Sequence, residues 1–183
     1  MLNTAVESWC WKFEAKELAD PDLVDKLTLS LCDTCGIEPP DFEFNLLISE
    51  LVTNAIDHGI LELNSRLKES DAGFQYYYSE RARRLNAITA GWISINAERV
   101  DAGTLRISVQ DSGAGFDYDN AVKDFSGDER LYGRGLAIIQ SLCKSMHHIG
   151  CGNCIVVDFE VASSRAAVTT VTADKQSVTV GFN

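Results

Sequence analysis

Apolar and polar residues alternate in four short segments, the pattern of β-strands with one buried face. The segments are residues 8–13, 92–97, 104–109 and 155–161. The first is rich in aromatic residues and is expected at the edge of a sheet, and a turn around 101–103 joins the second to the third. Threonine and valine also alternate in the tail, at 168–172 and 177–180, which predicts one more strand there.

Apolar residues at helical spacing predict helices over about 23–36, 42–58 and 134–146. The sequence Asp20-Pro21-Asp22 precedes the first helix and predicts an N-cap with proline in the first turn. Asp41 is the predicted cap of the second helix, and Gly59 is its expected end.

The segment 61–91 is helical in composition and unusually polar. Its Arg81, Arg83 and Arg84 are interpreted as a solvated helix face, with contact to an anionic partner as the alternative. Helices and strands segregate along the chain, which predicts an α+β fold: a two-layer α/β sandwich with helices on one face of a mixed, mostly antiparallel sheet. We expect one domain over 1–183, with a helical insertion at about 61–91 and a C-terminal extension at about 163–183.

The net charge and the distribution of apolar residues limit the kinds of partner that the protein is expected to bind. The 183 residues carry 27 acidic and 16 basic side chains, a formal net charge of −11. Broad nucleic-acid binding needs a basic surface and is not expected. No apolar run approaches the roughly 18 residues of a membrane span, and the amino terminus lacks the basic start and apolar segment of a signal peptide. The expected location is therefore the cytoplasm, with no membrane partner.

Four of the six cysteines form two pairs, Cys32-x-x-Cys35 and Cys151-x-x-Cys154, whose spacing can bind zinc. The separation between the pairs is far longer than in compact zinc modules, and Cys154 begins an apolar run typical of a strand. Buried or half-buried free thiols, the usual state in a reducing cytosol, are therefore favoured over a shared zinc site.

The predicted second helix has two faces. Its apolar face holds Phe44, Ile48, Leu51, Val52 and Ala55. Its polar stripe holds Glu43, Glu50, Asn54 and Asp57, with His58 at the margin. A solvated polar face is one interpretation. The other is functional: Asn54 can ligate a hard cation such as Mg²⁺ through its amide oxygen, while Glu50 one turn away polarises a hydroxyl or water.

Two glycine-rich motifs follow. Asp111 leaves a predicted strand, and Gly113 and Gly115 follow it at alternate positions. A carboxylate there can accept a hydrogen bond from the exocyclic amine of adenine, and glycines let the backbone pass close to a flat ring; a tight turn is the alternative. Gly133-Arg134-Gly135-Leu136 then opens a helix whose free N–H groups, with the Arg134 guanidinium, suit an anion.

In this order the three motifs resemble the ATP-binding domain of the GHKL superfamily, which includes DNA gyrase, Hsp90 chaperones, MutL proteins, histidine kinases and anti-sigma-factor serine kinases. Residues 50–59 correspond to its N box, 111–115 to its G1 box and 133–136 to its G2 box. The resemblance spans about 40–160. It implies the Bergerat ATP-binding fold, ATP or ADP as ligand, and Mg²⁺.

The N box is most similar to that of the anti-sigma-factor serine kinases, the RsbW-like group. That resemblance implies Glu50 as general base, Asn54 as Mg²⁺ ligand, Asp111 as adenine contact and residues 123–132 as a mobile ATP lid. The residues it places at the nucleotide are Asn54, Asp57, His58, Asp111, Gly113, Gly115, Gly133, Arg134, Gly135 and Leu136.

The same resemblance implies a serine/threonine protein kinase whose substrate is a STAS-type anti-sigma-factor antagonist. A sigma factor as second partner and a homodimer are further expectations. The insertion at 61–91 is longer than in a minimal anti-sigma kinase and resembles kinase domains fused to response regulators and PP2C-like phosphatases. Asp57 also resembles the gyrase and mismatch-repair pattern, where ATP is hydrolysed.

Three alternatives to a protein kinase stay open. The first is a regulatory module that binds nucleotide and controls a partner by contact alone. The second is an ATP-hydrolysing domain, which would need a following transducer domain. The third is a histidine kinase domain, but no dimerisation helix with a phospho-acceptor histidine is visible, and His147-His148 is interpreted as a cation pair at a helix C-terminus.

Overall fold

A computed structural model describes residues 7–38, 41–64, 70–115 and 134–161. Within these ranges, five strands form one sheet: β1 (Ser8–Glu14), β2 (Trp92–Asp101), β3 (Thr104–Asp111), β4 (Ser145–Ile149) and β5 (Cys154–Glu160). Their order is β1-β2-β3-β5-β4, and every neighbouring pair is antiparallel. The α+β prediction is confirmed, and the sheet is antiparallel throughout the described residues.

In the described parts of the chain, six helical segments accompany the sheet. They are a 3₁₀ turn (Glu17–Ala19), α1 (Leu23–Cys35), α2 (Phe42–Asn54), a π-helical turn (Ala55–Ile60), α3 (Asp71–Ala87) and α4 (Arg134–Leu142). The Asp41 carboxylate accepts a hydrogen bond from Phe44 N–H at 2.9 Å, which caps α2 as predicted. Gly36 ends α1 in the left-handed conformation, with φ of 67°, where glycine has no steric penalty.

The core lies between the helices and one face of the sheet. Alternate strand residues such as Trp11, Ile95 and Val109 are buried together with the apolar side of α2. Intervening strand residues such as Lys12 and Gln110 are exposed. This alternation confirms that the helices cover one face, and it places the polar end of β3 beside the helical layer.

Three details of the predicted elements are wrong. Helix α1 begins at Leu23 after Asp22, so Pro21 precedes the helix. The third predicted helix ends at Leu142, because residues 145–149 pair with β5 as strand β4. His147 and His148 therefore lie in a strand, opposite Val156 and Ile155, and not at a helix C-terminus. Pairing with a neighbouring strand outweighs local helical propensity here.

The predicted tail strand, 162–183, lies outside the described residues. None of the helices in the described ranges combines the length and apolar character needed to cross a bilayer.

Candidate functional site

Glu50 and Asn54 lie one turn apart on α2, under the first turn of α4. Both side chains are half-buried. A β-carbon added to Gly135 would lie 2.8 Å from Glu50 Oε2 and 3.3 Å from Asn54 Oδ1. The absence of a side chain at Gly135 is therefore what lets α4 approach this polar pair. The structure brings together three residues that the sequence places in two separate motifs.

The Asn54 side-chain amide has an unsatisfied buried donor within the described part of the chain. Its nitrogen Nδ2 is buried and has no hydrogen-bond partner in the part of the chain that the structure describes. An unpaired buried donor is costly, so it points to an acceptor supplied by a ligand. A phosphate oxygen fits this donor, and the amide oxygen suits a hard cation such as Mg²⁺. The donor set is therefore compatible with a magnesium nucleotide.

Asp111 is the last residue of β3, and its side chain is only 8% exposed. Its Oδ1 accepts a hydrogen bond from Gly113 N–H at 2.8 Å. Burial raises the pKa of this carboxyl group, and the Gly113 hydrogen bond partly opposes that rise. A carboxylate has about four lone-pair sites, so the Asp111 group retains acceptor capacity for an amine, as adenine recognition requires.

Two glycines enclose the Asp111 carboxyl group. A β-carbon on Gly59 would overlap Cγ and both carboxyl oxygens of Asp111. One on Gly113 would overlap the backbone carbonyl of Gly59 and come within 2.8 Å of Asp111 Oδ1. The end of the N box and the G1 loop thus pack backbone to backbone, and α2 with its π-helical turn links Asp111 to the Glu50–Asn54 pair.

Asn153 is a supporting residue that the sequence did not reveal. It lies in the β4–β5 turn, where its carbonyl accepts from Asp111 N–H at 3.0 Å and its Nδ2 donates to Asp111 O at 2.9 Å. Gly115, with φ of 78°, packs against Cys151 in the same turn. An asparagine in a tight turn is common, and nothing local in the sequence indicates a partner 42 residues away.

Asp57 does not lie on the exposed polar stripe predicted for the second helix. It is 1% exposed, and its carboxylate accepts from Tyr77 O–H at 2.7 Å and from Arg81 Nε at 2.6 Å. The change to π-helical geometry at Ala55 rotates the following residues away from the α-helical phase, which explains the error. Arg81 is correspondingly not part of a solvated face.

The other two arginines differ from each other. Arg84 donates to the carbonyls of Leu61 and Glu62, whereas Arg83 is 66% exposed and pairs with Glu80 on its own helix. The predicted solvated face therefore holds for Arg83 only.

The remaining predicted site residues have varied surroundings. The His58 side chain is exposed, with Nδ1 at 2.8 Å from the carbonyl of Leu63, so Nδ1 carries the donated proton. Arg134 is exposed at the first position of α4, and Leu136 is half-buried against the core. Gly133 and the predicted lid, 123–132, lie outside the described residues.

The cysteines are free thiols in mixed surroundings. Cys32 and Cys35 are buried and Cys154 is half-buried, as expected, but Cys151 is exposed. Burial raises the pKa of Cys35 to about 12, so this thiol stays protonated. Among the described residues, no group of three or more His, Cys, Asp or Glu side chains is arranged to hold a metal ion.

The fold is an antiparallel sheet with helices on one face. Its site combines a buried aspartate at a strand end with a glycine packed over a Glu–Asn pair. Together, fold and site define a nucleotide-binding domain. The family model for histidine kinase-, DNA gyrase B- and HSP90-like ATPases matches residues 41–177, and the chain belongs to that family. No curated protein matches the chain significantly. Membership confirms the resemblance at the level of the GHKL superfamily and identifies an ATP-binding domain.

Proposed function

We propose that the protein is an ATP-dependent serine/threonine protein kinase of the anti-sigma-factor type. The observation that carries this proposal is the Glu50 carboxylate, half-buried under Gly135 and one helical turn from the unsatisfied Asn54 amide. A domain that only binds nucleotide needs no carboxylate at that position. A kinase needs one to orient a hydroxyl and to accept its proton.

In this mechanism the chain's own residues divide the work. Asp111 accepts a hydrogen bond from the adenine amine, and the glycines around it shape the pocket for the ring. Asn54 would hold Mg²⁺ through Oδ1, and the ion would neutralise the charge of the phosphates. Glu50 orients the incoming serine or threonine hydroxyl toward the γ-phosphate and takes up its proton.

The N-box residues support a particular substrate class. Glu50-Leu51-Val52-Thr53-Asn54-Ala55-Ile56-Asp57-His58-Gly59 resembles the anti-sigma kinase pattern more than the other groups in the superfamily. We therefore propose a STAS-type antagonist as substrate in a cytoplasmic partner-switching pathway. A homodimeric kinase, a sigma factor as alternative partner, and fused or neighbouring response-regulator and PP2C domains complete the proposal.

The test is transfer of label from γ-³²P-ATP with Mg²⁺ to proteins in a lysate of the source organism. Glu50→Gln is the test variant, and Glu43→Gln, an exposed glutamate at the start of the same helix, is the matched control. We expect an acid-stable band on a small protein, unchanged with Glu43→Gln. Glu50→Gln should keep ATP binding and lower the transfer rate by ~10²-fold or more, as for loss of a general base.

Two outcomes oppose the proposal. Equal rates in Glu50→Gln and parent would remove Glu50 from the mechanism. Tight ATP binding with no labelled protein would favour the regulatory module that acts by contact, and release of inorganic phosphate alone would favour the ATP-hydrolysing domain.

A further inference from the structure

Helix α3 is fixed to the nucleotide-binding layer through a buried carboxylate. Asp57 is almost fully enclosed, and both of its oxygens accept hydrogen bonds from α3, one from Tyr77 O–H and one from Arg81 Nε. Tyr77 is itself fully buried. A buried carboxylate is stable only when it is paired and hydrogen-bonded, so α3 supplies what this position requires.

The same helix also holds the chain as it leaves the π-helical turn. The Arg84 guanidinium donates to the carbonyls of Leu61 and Glu62, directly after the turn. The backbone carbonyl of Asp57, inside the turn, also accepts a hydrogen bond from Leu63 N–H at 2.7 Å. Side chains of α3 therefore fix both the interior of the Ala55–Ile60 turn and its exit.

This turn is in direct contact with the adenine-binding carboxylate. Gly59, two residues after Asp57, lies so close to Asp111 that a β-carbon would overlap its carboxyl group. A β-carbon on Gly113 would likewise overlap the carbonyl oxygen of Gly59, and the Gly113 N–H donates to Asp111 Oδ1. A displacement of the turn by a few tenths of an ångström would therefore move the Asp111 carboxyl group or the G1 backbone.

We propose that Arg81 and Tyr77 are positioning residues for adenine recognition: through Asp57 they hold the π-helical turn on which the Asp111 carboxyl group rests. They touch no substrate and act through Gly59. The inference rests on adenine binding at Asp111 and is independent of phosphotransfer by Glu50.

The experiment compares the affinities of the full chain for ATP and for purine riboside triphosphate, which keeps the ring and phosphates but lacks the exocyclic amine. The parent should prefer ATP by about tenfold or more, the effect of one hydrogen bond to a charged group. Arg81→Gln should reduce that preference ~5- to 10-fold and leave the affinity for the amine-free analogue unchanged. Arg83→Gln, on the exposed side of the same helix, is the matched control.

Tyr77→Phe provides a second variant that keeps the buried ring and removes the hydroxyl bond to Asp57, with exposed Tyr76→Phe as its control. In an Asp111→Asn background, Arg81→Gln and Tyr77→Phe should have no further effect on the preference. A general structural role would instead lower both affinities together. An unchanged preference in both variants, or a parent that does not prefer ATP, would overturn the inference, whereas absent protein labelling would count only against the kinase.

Discussion

At the scale of single residues, the site depends on side chains that are absent as much as on those that are present. Gly135 lets α4 pack over Glu50 and Asn54, and Gly59 lets the N box pack under Asp111. The two glycines face different groups: Gly135 faces the flexible end of the Glu50 side chain, whereas Gly59 faces the buried carboxyl group of Asp111. Substitution by alanine should therefore separate catalysis from stability at Gly135.

Gly135→Ala should leave the fold intact and disturb the chemistry. The new β-carbon would lie 2.8 Å from Glu50 Oε2, which a flexible side chain can relieve by moving. Alanine is favoured over glycine in a helix by up to about 1 kcal/mol, so the free energy of unfolding should not fall. We expect phosphotransfer to fall ~10- to 100-fold, as for a misplaced reacting group. Gly103→Ala, in the open β2–β3 turn, is the control; equal rates in both variants would contradict the account.

Asp111→Asn tests the burial of the proposed adenine contact through the pH dependence of stability. Burial raises the Asp111 pKa above its ordinary 3.8, so ionisation of this group opposes folding. That penalty is absent below the unfolded pKa, grows as pH rises toward the folded pKa, and is complete above it. Without nucleotide, urea unfolding should therefore show Asp111→Asn at least as stable as the parent at pH 7. The account would be contradicted if the free energy of unfolding of Asp111→Asn, measured relative to the parent, were lower at pH 7 than at pH 4.

Residue types and spacing alone indicated Glu50, Asn54 and Asp111 as candidate site residues, because the chemistry expected of them is expressed within a few neighbouring positions. Asn153, Tyr77 and Arg81 could not be found in that way. Their partners lie 42, 20 and 24 residues away, and turn or helix residues of these types are common. Long-range contacts of this kind are set by tertiary packing and leave no local pattern.

At the scale of elements, the end of β3 is held by the β4–β5 turn. Asn153 pairs with both backbone groups of Asp111, so the hairpin fixes the strand end that carries the proposed adenine contact. This arrangement depends on β4 being a strand. The alternation of residues 145–149 is short and follows a helix directly, so the sequence pattern predicted that the helix continues to about residue 146. In the structure these residues instead pair with β5 as a strand.

Asn153→Ala should weaken this element and the site together. Loss of its hydrogen bond to the Asp111 carbonyl should lower the free energy of unfolding by about 1 kcal/mol. ATP affinity should fall as well, because the strand end loses a support. Asn96→Ala, an exposed asparagine on β2, controls for the substitution itself. Unchanged affinity and stability in Asn153→Ala would show that the turn does not hold the site.

At the scale of the whole molecule, the segregation of helices and strands was enough to predict the α+β class and the covered sheet face. The order of three glycine- and acid-containing motifs was enough to indicate the superfamily, which the match over residues 41–177 confirms. The π-helical turn that buries Asp57 could not be predicted, because the change to π-helical hydrogen bonding at Ala55 alters the helical phase without a sequence signal.

Ligand binding should stabilise the molecule as a whole. With ATP and Mg²⁺ at 100 times the dissociation constant, the free energy of unfolding should rise by about 2.7 kcal/mol. For a chain of this size that corresponds to a thermal midpoint higher by roughly 5–10 °C. Asn54→Ala should lose the part of this shift that requires Mg²⁺. A variant whose midpoint still rises more with Mg²⁺ than with EDTA would exclude Asn54 as the metal ligand.

The most direct test of the central claim, an ATP pocket built from the N box and the end of β3, is a calorimetric titration of the full chain. ATP is added with Mg²⁺ or with EDTA to the parent and to Asp111→Asn. The account predicts one site in the parent, tighter with Mg²⁺, and an ATP affinity lower by about tenfold or more in Asp111→Asn. Equal ATP affinity in parent and variant, or no binding by the parent, would contradict it.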